Sequence, residues 1–206
     1  MNTFKASLIA IVTSLGLNVA AEAQSYSPEA IASLRYMIEE EKLAGDVYRS
    51  FGNLYPTIRP FQNIPRSEDT HVAALVGQAK AIGLDVGDLT SLAAGQYQNP
   101  SLQSLFGTLV AQGSASSFAA LTVGKNIEIL DIADLTAARS FVPSGSPLYS
   151  VYGNLMNASN NHLNAFNNWL AMTPAPPVPE PETYVMMLTG IGIIGAVVRR
   201  RRKSGD

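Results

Sequence analysis

The 206-residue chain carries 14 Lys+Arg against 16 Asp+Glu, with two histidines and no cysteine. That balance leaves no net basic surplus to draw nucleic acid. The missing cysteine excludes disulfides, thiolate nucleophiles and iron–sulfur or rubredoxin-type centres, so the core, or a bound metal, must hold the fold together.

Met1 to Ala23 reads as a cleaved signal peptide. Lys5 precedes the uncharged run Ala6 to Ala21, and Ala21-Glu22-Ala23 has the small-x-small pattern that signal peptidase cuts. Residues 24–172 then form the expected domain, large enough for a sizeable core. Between Gln24 and Pro177 twelve acids face eight bases, a net of about −4.

Four long amphipathic helices are predicted. The first opens at Ser27-Pro28-Glu29, an N-cap serine followed by proline and an acid in the first turn, and runs to about Phe51. Its apolar stripe, Leu34, Met37, Glu41, Ala44 and Tyr48, alternates steps of three and four. Glu39 and Glu40 lie off that stripe, although a register shifted by one residue puts Glu40 inside instead. Tyr55 to Pro60 reads as a loop. The second helix is expected to start between Pro65 and Ser67, with the stripe Ile64, Glu68, His71, Leu75, Ile82 and Gly83 as C-cap. A glycine-rich connection, Leu84 to Pro100, leads to a short extra helix over Ser101 to Gln112. The third long helix spans Ser116 to Ala138 with the stripe Leu121, Gly124, Glu128, Asp131, Leu135. The fourth spans Pro147 to Met172 with Leu148, Tyr152, Leu155, Ser159, His162, Phe166, Trp169.

The C-terminal end has three parts. A proline-rich tether, residues 173–177, leads into Val178-Pro179-Glu180-Pro181-Glu182-Thr183. An apolar run, Tyr184 to Val198, follows, and Arg199-Arg200-Arg201-Arg202-Lys203 closes it. The run is shorter than the ~20 residues that span a bilayer comfortably, and its basic end marks the cytoplasmic side. This arrangement, with Pro179, Glu180 and Pro181 at its core, resembles the PEP-CTERM sorting signal. The resemblance implies an exosortase partner, transient anchoring in the inner membrane by segment 184–198, and release to the cell surface or exterior. An exopolysaccharide partner is a further implication.

Each long helix interrupts its apolar stripe with polar groups near its middle: Glu41; Glu68 with His71; Glu128 with Asp131; Ser159 with His162. Spacing i, i+3 places each pair on one helix face. Burying so many ionisable groups uncompensated costs several kcal/mol per charge, which a domain of ~5–15 kcal/mol net stability does not absorb. A bound dication compensates them, so Glu41, Glu68, His71, Glu128, Asp131 and His162 are the candidate ligands. Tyr48 and Ser159 are candidates for the surrounding shell. Imidazole and carboxylate donors suit iron, manganese or zinc, as one or two ions per chain.

The stretches Tyr36 to Tyr48, Ile64 to His71, Asn126 to Leu135 and Ser159 to Phe166 resemble an uncharacterised ferritin-like, rubrerythrin-related family. That resemblance implies an all-α, ferritin-like four-helix bundle with a short extra helix between its second and third helices. It also implies a di-metal carboxylate site; Ser159 stands where the general ferritin-like pattern has a glutamate, although a serine there resembles the usual residue of the uncharacterised family. Two functions follow as expectations: an exported metal-binding protein, with oxidase or peroxidase chemistry at its site left open, or a non-catalytic structural or binding component of the extracellular matrix. A serine hydrolase is disfavoured, since no Gly-x-Ser-x-Gly elbow occurs.

Overall fold

The structure is a computed structural model that describes residues 26–175. The signal peptide expected over 1–23, the sorting motif and the apolar run 184–198 lie outside the described residues. Six helices make up the described chain: α1 Pro28–Leu54, α2 Arg59–Ala81, α3 Gly87–Thr90, α4 Pro100–Gly113, α5 Ser117–Ser140 and α6 Pro147–Met172. No strand occurs among the described residues, so the fold is all-α. None of these helices is long and apolar enough to cross a membrane, so the expected transmembrane segment has no counterpart among the described residues.

Local chemistry sets most of the boundaries. Ser27, Ser116 and Ser146 cap α1, α5 and α6, their hydroxyls accepting from Ala30, Ala119 and Tyr149 N–H, while Asn99 caps α4. Past the end of α2, Gly83 takes φ +73°. Leu84 N–H bonds Ala79 C=O and Gly83 N–H bonds Lys80 C=O, a Schellman termination that needs the left-handed residue.

Two expectations fail here. The second helix starts at Arg59, not between Pro65 and Ser67. Pro60 falls in the first turn, where its missing N–H costs nothing, and buried Ile58, Phe61 and Ile64 anchor the early turns. Pro65 therefore lies inside the helix, so Phe61 C=O has no i+4 donor there; that carbonyl faces Gly52 of α1, where an added Cβ would sit 2.9 Å away. The second failure is α3, a single turn inside the expected loop, pinned by the buried side chain of Leu89.

The four long helices pack in a ring, α1 beside α2 and α5, α6 beside α5 and α2, with α4 laid across α1 and α5. Along the α1–α5 seam, Tyr36 meets Asp134 and Tyr48 meets Glu128, so these two helices run antiparallel. Two apolar clusters fill the ring. One joins Leu43 to Phe51 with Phe61, Ile64, Leu121 and Phe166. The other joins Ala30 to Ile38 with Leu75, Ala79, Leu135, Leu148 and Tyr152. On every long helix the polar interruption falls between the two clusters, so the polar groups share one layer.

Close approach inside the ring depends on Gly124, where an added Cβ would lie 2.5 Å from Phe166 Cε1. Gly124→Ala is expected to cost about 1–3 kcal/mol by overpacking. Gly77→Ala, on an open face of α2 with nothing within 4 Å, should instead gain up to about 1 kcal/mol of helix propensity. Urea denaturation of both variants checks this, and equal effects would contradict the packing described.

Candidate metal centre

The layer between the clusters holds two trios of buried ligand-capable side chains, Glu41/Glu68/His71 and Glu68/Glu128/His162, the donor atoms of each within 4.8 Å of one another. Glu68 belongs to both. Its Oε2 lies 2.8 Å from His71 Nδ1, and its Oε1 lies 3.0 Å from His162 Nδ1. Glu41 Oε2 closes the first trio, 3.0 Å from His71 Nδ1, and Glu128 Oε1 the second, 3.5 Å from His162 Nδ1. The imidazoles stack across Glu68 with ring centroids 5.6 Å apart and planes at 22°. The site is thus two similar halves joined by one carboxylate.

The surrounding side chains fix these groups. Tyr48 OH donates to Glu128 Oε1 at 2.6 Å, so the tyrosine two turns along from Glu41 orients a carboxylate of α5. Ser159 Oγ donates to Asp131 Oδ2 at 2.5 Å. Yet the layer is not satisfied: Glu41 Oε1, Glu68 Oε1, Asp131 Oδ1 and His162 Nδ1 are buried without a hydrogen-bond partner. His162 Nδ1 and Glu68 Oε1 are close but out of line for a hydrogen bond. Orphaned buried polar atoms cost about 1–3 kcal/mol each, and more when charged.

Electrostatics follows from the crowding. Burial, then the facing Asp131 carboxylate, pushes Glu41 well above the ordinary carboxylate range. Burial likewise raises Glu128, and raises Asp131 to about 7 with help from Glu128 and Glu68. Glu68 goes the other way: burial opposes its ionisation, but His162 and His71 outweigh that and hold it at about 2. Burial disfavours both imidazolium ions too, yet Glu41 and Glu68 lift His71 to about 10, and Glu128 and Glu68 lift His162 to about 9. The layer thus holds its charge apart from metal only by keeping protons on both histidines and on several carboxyls.

Five of the six candidate ligands, Glu41, Glu68, His71, Glu128 and His162, meet in the two trios. Asp131 belongs to neither; it borders the Glu41 side, tethered by Ser159. Between the two registers of α1, Glu41 is the residue that faces the histidines. Glu39 and Glu40 are nevertheless buried, against the expectation that they lie off the inner face, because α4 and its preceding loop cover that side of α1. Glu39 accepts the backbone N–H groups of Gln98 and Asn99. Asp46 is a buried residue the sequence reading passed over. It accepts from Lys42 at 2.7 Å and Tyr97 OH at 2.9 Å, and its spacings i, i+4 from Lys42 and i, i+3 to Arg49 were the visible signals.

Comparison with known proteins finds a family and a matching fold. A family described as an uncharacterized protein domain, DUF2202, matches residues 30–173. The chain belongs to that family. The uncharacterized protein MJ0754 of Methanocaldococcus jannaschii is 37% identical over 143 residues, spanning 69% of this chain and 76% of that protein. The crystal structure of hypothetical protein MJ0754 from Methanococcus jannaschii superposes with a TM-score of 0.68 at 34% identity, covering 81% of this chain and 95% of that one. The PEP-CTERM protein-sorting motif matches residues 177–203. That motif is a sorting signal recognised by exosortase, and it implies export and targeting to the cell surface.

The shifted groups set the pH response of the metal-free DUF2202 domain. His71 and His162, raised from an ordinary 6.5 to about 10 and 9, contribute stability that is full below 6.5 and lost as pH rises through those values. Asp131, raised from 3.8 to about 7, resists ionisation, so its contribution also falls with rising pH, over 3.8 to 7. Glu68, lowered to about 2, contributes above its ordinary 4.5 and loses that only in acid. The Tm measured in excess chelator should therefore fall from pH 5 to pH 10. A flat or rising Tm across that range would contradict the facing arrangement of these groups.

Proposed function

We propose that this protein is an exported metal-binding protein, whose four long helices form a ferritin-like bundle around a two-ion carboxylate–histidine centre. The observation that carries this reading is the sharing of Glu68 between two equivalent trios, with unpartnered oxygens and nitrogen aimed into one buried layer. Two cations would take up those lone pairs and remove the mutual repulsion of the carboxylates, which is the compensation such a layer requires. Glu41 and His71 would hold one ion and Glu128 and His162 the other, with Glu68 between them. Iron or manganese suits this donor set, and zinc is the remaining option. The ring order, with one long crossover between α2 and α5, supports the ferritin-like assignment.

When iron or manganese is bound, the centre has redox chemistry available to it. The chain's own contribution would be positional. Tyr48 fixes the Glu128 carboxylate, Ser159 fixes Asp131, and the two apolar clusters keep water from the layer on both sides. Ser159 stands where the ferritin-like pattern has a carboxylate. Its hydroxyl is a poor ligand, which would leave Glu68 as the one carboxylate common to both halves. The sorting motif supports a second reading, in which the ions only staple a matrix component together. Iron reconstitution followed by oxygen-uptake measurement separates them: consumption coupled to ferrous oxidation favours redox use, and loading without uptake favours the staple.

Loss patterns test the shared ligand. After reconstitution with ferrous or manganous ions, elemental analysis should find two ions per wild-type chain and about one in His71→Ala or His162→Ala. Glu68→Ala should hold none, because both halves lose a ligand. Glu39→Gln should retain both, since Glu39 serves the loop before α4. A wild-type chain that retains no metal, or a Glu68→Ala variant that retains both ions, would refute the site.

A further inference from the structure

Where the last turn of α5 meets the first half of α6, a notch of about 320 Å³ opens on the surface. Arg139 of α5 lines it, together with Ser150, Gly153, Asn154, Asn157 and Asn160 of α6. The three asparagines are exposed and each is three residues from the next, so successive amides are neighbours along the helix. Helix α6 has no aspartate, glutamate, lysine or arginine along its length, so Arg139 is the charged group of the notch. None of the residues in the two metal trios lines it.

Arg139 is held in place without a counter-charge. Its guanidinium carbon stands 3.8 Å from the centroid of the Tyr149 ring, a cation–π contact. The same group packs over Gly153, where an added Cβ would lie 3.3 Å from Nη2. Stacking fixes the guanidinium but accepts none of the N–H groups along its fork. Among the described residues no carboxylate pairs with Arg139, and its Nε is buried without a partner. Nη1 and Nη2 are the donors left to a ligand, and a guanidinium fork matches a planar carboxylate. A phosphate dianion calls for a second cation, and the notch has none. The neighbouring groups are neutral. Asn160 Nδ2 donates to Met156 C=O at 2.7 Å, which leaves its Oδ1 to accept. Ser150 Oγ donates to Ser146 C=O at 3.3 Å, which leaves its lone pairs to accept. The Asn154 and Asn157 amides both donate and accept, as the hydroxyls of a polyol do. The volume lies at the low end of the roughly 300–1,000 Å³ of small-molecule sites, room for a single sugar-sized ring.

We propose that this notch binds a sugar acid, a carboxylate on a polyhydroxylated ring, with the carboxylate on the Arg139 Nη groups and the hydroxyls exchanging hydrogen bonds with Asn154, Asn157 and Asn160. The site lies on the exposed side of α5 and α6 and does not depend on the metal reading. The guanidinium supplies the charge recognition, and the amides distinguish a hydroxylated anion from a plain carboxylate.

Nitrogen-15 NMR of the full-length protein, titrated with D-galacturonate, D-glucuronate, D-galactose and D-glucose, tests the assignment. At least one sugar acid should shift the Arg139 Nε–H signal and the side-chain amide signals of Asn154 and Asn157 in a saturable way, about tenfold more tightly than its neutral counterpart. Arg139→Gln should erase that preference. Asn157→Ala, at an exposed position, should weaken the sugar acid about threefold while leaving thermal unfolding unchanged. The same preference upholds the site whichever source supplies the acid: an oligogalacturonate that binds at least as tightly as the monomer assigns it to a chain-linked residue, and a weaker one assigns it to the free sugar acid. Acidic and neutral sugars binding alike, shifts confined to other residues, or no saturable shift with either acid would overturn the proposal. Should Arg139→Gln fail to fold, the wild-type comparison and the Asn157→Ala result still decide the matter.

Discussion

One carboxylate, Glu68, is held between two imidazoles deep in the ring, and the rest of the interior is organised around that contact. It is the group in the layer held low, at about 2, while Glu41, Glu128 and Asp131 are pushed up by burial and by one another. Remove it and both histidines lose their common counter-charge. Such a group would be intolerable beside the apolar clusters without partners, and His71 of its own helix α2 and His162 of α6 supply them. The price in backbone freedom is visible at Gly124, whose missing side chain leaves room for Phe166 to close the layer from one end.

The two apolar clusters and the polar layer divide the labour. Leucine, phenylalanine and tyrosine packing above and below the layer supplies the favourable burial, at roughly 25 cal/mol per Å² of apolar surface. The layer itself opposes folding until its charges are compensated. Protons on His71, His162 and the raised carboxyls give partial compensation; cations, on the proposed reading, give more. This places the functional chemistry at the point of greatest electrostatic tension, where a ligand changes stability most. Export to the cell surface, which the sorting motif implies, puts that site where it would meet external metal.

Much of this arrangement was legible from the sequence, because the cost of burying charge is legible from periodicity. The stripes Leu34–Tyr48 and Leu148–Phe166 place Glu41 and His162 inward, and serine caps with following proline mark helix starts almost to the residue. What the stripes could not show is what covers the other faces. In the register that turns Glu41 inward, Glu39 and Glu40 fall off the stripe, yet α4 and the loop before it pack there and bury both. The start of α2 was misplaced for a related reason. Pro65 reads as a boundary in isolation, and only the contacts of Phe61 and Ile64 across the ring show that the helix continues through it. Asp131 was a ligand candidate by spacing; its tether to Ser159, a residue of another helix, is a tertiary fact with no local signature.

The central claim is that Glu68 joins two ion-binding halves. Anomalous diffraction from crystals grown with manganese tests it directly, since each ion is located independently of the amount bound. The account predicts two anomalous peaks, one on each side of the Glu68 carboxylate, the first against Glu41 and His71 and the second against Glu128 and His162. Peaks confined to surface carboxylates, or a layer without a peak in saturating manganese, would contradict it.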